Sequence, residues 1–432
     1  MTAEVLSIGN EVLSGRTLDT NFQFLARLLE ESGARVVGHQ AVPDDAAAIA
    51  AALELARARA DLVVCTGGLG PTRDDLTVDA VARALGRRVV RDEAVLADVR
   101  ARWVSMLRSP MPPSNDRQAD LPEGAVAWKN PVGSAPGIHL ALEAGKHVVL
   151  LPGVPEEMRE LARLHLAPLV REASTISVDY CVMRTVGIAE SLLEQCLGDM
   201  TERLDGAAVA YLPGQGGVDV RITVPGGLDA AAREAWSGRA RSLVRAAARE
   251  YVYSEDDRPL EQVVGDLLRE RGWRLAVAES CTGGLLGGRI TSLAGSSRWF
   301  DGGAIVYANE AKTREAGVAP ELLAAHGAVS EEVARALARG IAARFGTACG
   351  LGVTGIAGPD GGTPEKPVGT VHLAAVTPDG EHHRKLQLRG NRAQVRERAV
   401  TFALDLLRRR LLGLPASSTG AIGTPPGEPR AT

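Results

Sequence analysis

Ser280 and Lys312 are the residues that could generate a nucleophile in this chain. Ser280 lies in Ala278-Glu279-Ser280-Cys281-Thr282-Gly283-Gly284, after the apolar run Leu275-Ala276-Val277 and before a helix-like segment at 285–292. A strand that turns through small residues into a helix sets a hydroxyl beside free backbone N–H groups. That arrangement suits attack on a carbonyl, because the developing oxyanion finds donors in place. The plainer alternative is that Ser280 or Thr282 only caps the helix, with Gly283 and Gly284 allowing close packing.

Lysine is scarce here: of 49 basic residues only Lys129, Lys146, Lys312, Lys366 and Lys385 are Lys. A desolvated Lys can lose its proton, whereas Arg keeps its own. Lys312 follows the strand-like Ala304-Ile305-Val306 within Tyr307-Ala308-Asn309-Glu310-Ala311-Lys312. It therefore falls near a strand end, where open α/β sheets place their sites. A third segment, Gly350 to Gly362, is again a strand-like run opening into a Gly/Pro loop that can approach a ligand closely. Gly390-Asn391-Arg392 precedes a long amphipathic segment reaching about Leu412. Arg392 suits a phosphate, or the start of that helix.

Taken together, the segment from about Pro259 to Leu414 resembles the C-terminal domain of the CinA family, the competence/damage-inducible proteins. That domain is similar to nicotinamide mononucleotide (NMN) amidohydrolases. The resemblance rests on Glu279-Ser280-Cys281-Thr282-Gly283-Gly284, Tyr307-x-Asn309-x-x-Lys312, Thr354-Gly355-x-x-Gly358-Pro359 and Gly390-Asn391-Arg392, in that order. It implies Ser280 as nucleophile, Tyr307 and Lys312 in proton transfer, and Thr354 beside the oxyanion. Thr282, Gly283, Asn309, Gly355 and Arg392 would bind substrate, with no cofactor. The family often has Asp where this chain has Asn391. The implied reaction converts NMN and water to nicotinate mononucleotide and ammonia. Cys281 is a rival nucleophile. No His stands in any motif; His326, His372, His382 and His383 read as surface or strand residues, which favours a Ser-Lys over a Ser-His-Asp arrangement.

The N-terminal part carries its own signal. Strand-like Leu62-Val63-Val64 runs into Cys65-Thr66-Gly67-Gly68-Leu69-Gly70-Pro71-Thr72-Arg73-Asp74-Asp75, followed by a helical pattern from Leu76 to Leu85. Glycines at a strand end and acidic residues at a helix start suit phosphate with a bridging divalent ion. Alternatively, the acids only complement the helix dipole. With Ser7 to Arg16, Pro113 to Ala119, Asn130 to Gly137 and Leu151-Pro152-Gly153-Val154-Pro155-Glu156-Glu157-Met158, residues 2–169 resemble the molybdopterin-binding fold as CinA proteins carry it. The resemblance implies ADP-ribose pyrophosphatase activity, with Gly67, Gly68 and Gly70 around phosphate. Asp74 or Asp75 would hold a divalent metal (Mg, Mn or Co), helped by potassium, and Ser134, Gly153 and Glu156 would complete the pocket. The alternatives are a non-catalytic pterin- or nucleotide-binding module, or an accessory protein of competence or recombination.

The elements behind these motifs divide the 432 residues into several domains. Residues 1–170 alternate strand and helix patterns, implying a molybdopterin-binding-like three-layer domain with a parallel sheet. Residues 171–254 read as a small α+β, KH-type linker. Its strands are expected at 176–186 and 218–224, its helices at 189–203 and 228–249. No Gly-rich RNA-clamping signature is read there, so RNA binding is not expected. Residues 255–414 form the α/β amidohydrolase domain, and 415–432 a disordered tail rich in Pro, Ser and Gly. A net charge of −4 and 3% aromatics give no sign of a nucleic-acid or membrane surface. No membrane span or signal peptide is read, so a cytoplasmic protein acting on small nucleotides is expected. A homodimer is implied by the resemblance alone. Five scattered cysteines suggest reduced, mostly buried thiols.

Overall fold

The structure is a computed structural model that describes residues 1–174, 179–214 and 216–416. The chain forms two compact units, one of Met1–Asp179 with Pro225–Gly227, the other holding the remainder. Among the described residues, no helix is long and apolar enough to cross a membrane.

The first unit is built on β1 (Thr2–Ile8), β2 (Arg35–Val42) and β3 (Leu62–Thr66); a short pair, β4 (Val89–Arg91) and β5 (Asp120–Pro122), stands apart. The main sheet is completed by β6 (Val126–Trp128), β7 (Gly137–Ala141) and β8 (His147–Leu151), in the order β2-β1-β3-β8-β7-β6. β2, β1, β3 and β8 run parallel, while β7 and β6 are antiparallel. Strands buried on both faces read as unbroken apolar runs, as Leu62 to Cys65 does. Helices Thr20–Glu31 and Pro155–Leu161 pack on one face through Leu25, Leu29 and Leu161. Ala46–Arg59 and Thr77–Ala84 cover the other through Ile49, Leu53 and Val81. The expected three layers are present. β1 leads into a helix on one face and β3 into a helix on the other, so a crevice opens between their C-terminal ends.

The second unit begins with an antiparallel sheet. It comprises β9 (Tyr180–Thr185), β10 (Val209–Pro213), β11 (Val218–Thr223) and β12 (Val252–Ser254), ordered β10-β11-β9-β12. Residues 176–178 of the expected first strand lie outside the described residues. The helix expected over 189–203 is two, Glu190–Leu197 and Met200–Arg203, because Gly198 turns the chain at φ 53°. β10 was not anticipated. Gly214 and Gly217 flank the β10–β11 hairpin, and a Cβ on Gly217 would come within 1.9 Å of the Thr185 carbonyl oxygen.

The larger sheet has β13 (Leu275–Glu279), β14 (Phe300–Ile305), β15 (Cys349–Gly355), β16 (Thr370–Thr377) and β17 (Gly380–Gln387), ordered β14-β13-β15-β16-β17. The first three are parallel and the last two antiparallel. Helices Leu260–Glu270, Leu285–Thr291 and Arg392–Leu411 contribute Val264, Leu286 and Val400 to the core on one face. Asn309–Ala316 and Glu331–Phe345 cover the other through Ala316 and Leu337. Again the chain leaves β13 toward one face and β14 toward the other.

A buried ionic cluster ties the small sheet to the larger one. Asp405 accepts from Arg408 Nε at 3.0 Å and Arg409 Nε at 2.8 Å, and Arg384 Nη1 stands 3.7 Å away. Arg408 Nη2 also donates to the Glu250 carbonyl over 2.7 Å. The part of the tail from 417 onward lies outside the described residues. All five cysteines are free, four of them buried.

Candidate active site

Ser280 follows β13 directly, and its N–H donates to the Val353 carbonyl over 3.0 Å, extending the ladder by one residue. The turn beyond it needs glycine, with φ 59° at Gly283 and 95° at Gly284. Neither Ser280 nor Thr282 caps the next helix. Glu279 does so: its carboxylate accepts from the N–H groups of Gly284, Leu286 and Gly287 at 2.8–3.0 Å. The acid thus satisfies the helix end, leaving the serine free of that duty. Among the described residues, the Thr282 N–H has no protein acceptor, and the Cys281 N–H meets only its own sulfur. Arg396 holds the same turn from its carbonyl side, Nε to Cys281 O at 3.1 Å and Nη2 to Thr282 O at 2.7 Å. The Thr282 hydroxyl is buried without a partner.

Lys312 comes from the first turns of the helix after β14 and is 2% exposed. Its Nζ donates to the Tyr307 carbonyl over 3.0 Å, and it forms no ion pair among the described residues. Burial lowers its pKa from the ordinary lysine value; the nearby Cys281 and Glu310 oppose that shift. Glu279 pairs with Ile305 on one side and Val353 on the other, so the tips carrying Ser280, Tyr307 and Thr354 are neighbours.

The other expected residues are placed as follows. The Tyr307 ring is exposed, and its hydroxyl accepts from Arg392 Nη2 at 3.1 Å. Arg392 Nη1 donates to the Gly358 carbonyl at 2.7 Å, so this arginine already joins two loops of the site. Asn391 caps the last helix reciprocally with Gln394. Thr354 is buried, but its hydroxyl donates to the Ala328 carbonyl over 2.7 Å. Its proton is thus engaged within the protein rather than free for an oxyanion. Gly355 is packed, since a Cβ there would meet the Thr370 carbonyl at 2.8 Å. Asn309 is exposed in a shallow hollow with Glu310, Arg314 and Leu323, beside Lys312 in sequence. Burial pushes the Cys281 thiol up to about 12, which removes the thiolate a cysteine nucleophile needs.

In the first unit, Gly67 (φ 107°) sits against the end of β1, where a Cβ would fall 2.1 Å from the Ile8 carbonyl. Gly68 is covered by Thr77, whose hydroxyl donates to the Gly67 carbonyl at 2.8 Å. Gly153 adjoins Gly67, and Asn21 Nδ2 donates to the Gly153 carbonyl at 2.8 Å. Gly68, Gly70 and Asp75 line a cleft of about 30 Å³ with Asp79 and Arg117. The Thr72 hydroxyl stands within hydrogen-bond distance of both the Asp74 and the Asp75 carboxylates, with one proton to share between them. That contact lowers the Asp74 pKa. Among the described residues, no three His, Cys, Asp or Glu side chains are grouped to hold a metal. Ser134 lies apart from that cleft, in a cavity of about 90 Å³ with Arg102 and Asn130. Glu156 is exposed; its neighbour Glu157 takes the inner position, accepting from Asn130 Nδ2 at 2.7 Å, and burial raises its pKa.

Three family profiles cover most of the chain. The probable molybdopterin binding domain matches residues 4–172, the damage-inducible protein CinA KH domain 181–254, and the CinA C-terminal domain 257–411. A CinA-like protein of Gemmatimonas aurantiaca is 46% identical over 95% of this chain and 96% of its own. The chain belongs to the CinA family. A CinA-like protein of Frankia casuarinae is 42% identical over 98% of this chain and 99% of its own. The competence/damage inducible protein of Agrobacterium tumefaciens, a solved structure, is 39% identical with a TM-score of 0.34, covering 35% of this chain and 93% of that one.

Within this CinA chain, sequence reading missed Arg396, Asn21, Asn130 and Glu157. Arg396 had no local signal, being one arginine among many on a long helix. Asn130 and Glu157 stood inside the quoted motifs, but their meeting depends on the fold.

Proposed function

We propose that the C-terminal part of the chain is an amidohydrolase acting on the carboxamide of NMN. The observation that carries this reading is the buried, ion-pair-free Lys312 beside a strand tip where Ser280 is followed by the unengaged N–H of Thr282. Ser280 Oγ attacks the carboxamide carbon, and its proton passes to neutral Lys312, directly or through Tyr307. The carbonyl oxygen takes the negative charge and is held by the Cys281 and Thr282 N–H groups. The C–N bond breaks, the amine takes the proton, and ammonia leaves an acyl-Ser280 ester. Water attacks that ester, returning the proton to Ser280 and releasing nicotinate mononucleotide.

The test is ammonia release from NMN by the whole chain and by Ser280→Ala. Turnover by the parent and its loss in the variant are expected; equal turnover by both would end the proposal.

A second reading concerns the first unit, favoured by the packed Gly67 and Gly68 at a crevice that also holds Asp75 and Arg117. It is hydrolysis of ADP-ribose to AMP and ribose 5-phosphate. Two carboxylates on one turn suit a magnesium-like ion that completes its shell with substrate phosphate and water. Asp74 and Asp75 would hold that ion, which supplies charge neutralisation at the phosphates. The glycines let the backbone approach the phosphates, and Arg117 adds a cation at the cleft. AMP release with and without a divalent ion tests this, and its absence at every metal concentration favours a binding module.

A further inference from the structure

The sequence reading set the histidines aside, yet His372 lies in the same row as Ser280 and Thr354. In the β13–β15 ladder Glu279 opposes Val353, so Ser280 and Thr354 come next to each other. In the β15–β16 ladder Thr354 opposes His372. Leu351 and Val353 enter the core on the Arg392–Leu411 side. Gly352 faces helix Glu331–Phe345, since a Cβ there would meet the Ala334 carbonyl at 2.3 Å. Alternation puts Thr354 on that second face, with its paired His372 and with Ser280. Ala276 and Ala278, four and two residues before Ser280, pack on that face. Adjacent strands lie about 4.8 Å apart, so His372 stands roughly 10 Å from Ser280, beyond Thr354.

The imidazole is oriented from behind. His372 Nδ1 is 3.1 Å from His383 Nε2, and His383 Nδ1 is 3.1 Å from a Glu331 carboxylate oxygen. His383 opposes Ala374, one step deeper in the sheet than His372. The Nδ1 edge of His372 is therefore turned away from the strand tips, and Nε2 toward them. Glu331 also pairs with Arg335 at 2.8 Å. A carboxylate facing His383 Nδ1 holds a proton there, leaving His383 Nε2 as an acceptor. His372 Nδ1 must then carry its proton, and Nε2 presents a lone pair. Burial, followed by His383, Lys385 and Lys366, pushes the His372 pKa down to about 4, with Glu331 opposing. The ring is thus neutral near pH 7, a hydrogen-bond acceptor rather than a phosphate ligand.

We propose that His372 Nε2 accepts a hydrogen bond from a ribose hydroxyl of the bound nucleotide, with its tautomer fixed through His383 by Glu331. The inference rests on the amidohydrolase reading. A carboxamide held at Ser280 directs its pyridine ring across Thr354 and its sugar toward His372. His372 is then a specificity residue, and His383 and Glu331 are positioning residues.

The experiment compares kcat/KM for NMN with that for its 2′-deoxy and 3′-deoxy analogues. A site built to bind a hydroxyl rejects the analogue lacking it strongly. The parent should prefer NMN over one deoxy analogue by about tenfold or more. In His372→Phe that ratio should fall toward unity, in His372→Gln it should be partly kept, and in Glu331→Gln and His383→Phe it should be intermediate. Each ratio is taken within one variant, so a loss of folded protein cancels. A parent ratio near unity for both analogues, or an undiminished ratio in His372→Phe, would overturn the proposal. If the parent releases no ammonia from NMN, the amidohydrolase reading fails. Equilibrium binding of NMN and its deoxy analogues to the parent and His372→Phe then decides the ribose contact by the same ratio.

Discussion

Lys312 donates its ammonium to the carbonyl oxygen of Tyr307, 3.0 Å away, and this is a neutral acceptor rather than a carboxylate. Burial disfavours the charged amine and lowers its pKa. In the proposed mechanism Lys312 must be unprotonated, so any amidase activity should rise with pH as it loses its proton, below the usual lysine range. Lys312→Met should lower kcat by about 10²–10⁴-fold and abolish that limb of the pH–rate profile. An unchanged limb in the variant would assign the titration to another group.

The buried thiol of Cys281 is expected to take no part in the proposed chemistry. With its pKa pushed up to about 12, it stays protonated at neutral pH. Cys281→Ser should keep most of the amidase activity, and iodoacetamide should modify Cys281 slowly in the native protein. Loss of turnover in this variant, with the fold intact by circular dichroism, would return the cysteine to the list of nucleophiles.

The His372–His383 pair makes the second unit acid-sensitive. His372 is neutral in the folded chain down to about pH 4 but protonates near 6.5 when unfolded. The unfolded state therefore binds more protons between those values, and stability falls as pH drops from 6.5 to 4. The loss attributable to His372 is on the order of 3 kcal/mol at most. The facing groups are Glu331, Glu332, Lys366, Lys385 and His383. Thermal melts at pH 7 and pH 4.5 should show a smaller drop for His372→Phe than for the parent.

Asp405 is fully buried and is the carboxylate that meets Arg384, Arg408 and Arg409. Replacing it with Asn leaves buried guanidinium charge uncompensated. Asp405→Asn should cost about 3–5 kcal/mol in urea unfolding, while Asp405→Ala with Arg409→Met recovers part of it.

Much of the site's frame was legible because parallel strands announce their ends. An apolar run that breaks into Ser, Gly and Thr, as at 275–284 and 349–358, marks where a sheet stops and a turn begins. Those breaks mark strand ends at Ser280 and Thr354, and the run at 304–306 does the same ahead of Lys312. Which hydroxyl has a spare proton was not legible: Thr354 spends its own on Ala328, a residue distant in sequence. The histidines were dismissed for lacking a motif, but their meaning lies in register, which pairs Thr354 with His372 and sets His383 one step behind it. Likewise Glu279, inside a motif noted for its serine, turned out to serve the helix end.

The grip of Arg396 on the carbonyls of Cys281 and Thr282 has a stereochemical consequence. A trans peptide is planar, so the C=O of one residue and the N–H of the next point in opposite directions. Drawing the Cys281 oxygen toward the guanidinium therefore aims the Thr282 N–H the other way. A cation seated behind the loop therefore fixes the heading of a dipole in front of it when the fold closes, before any ligand arrives.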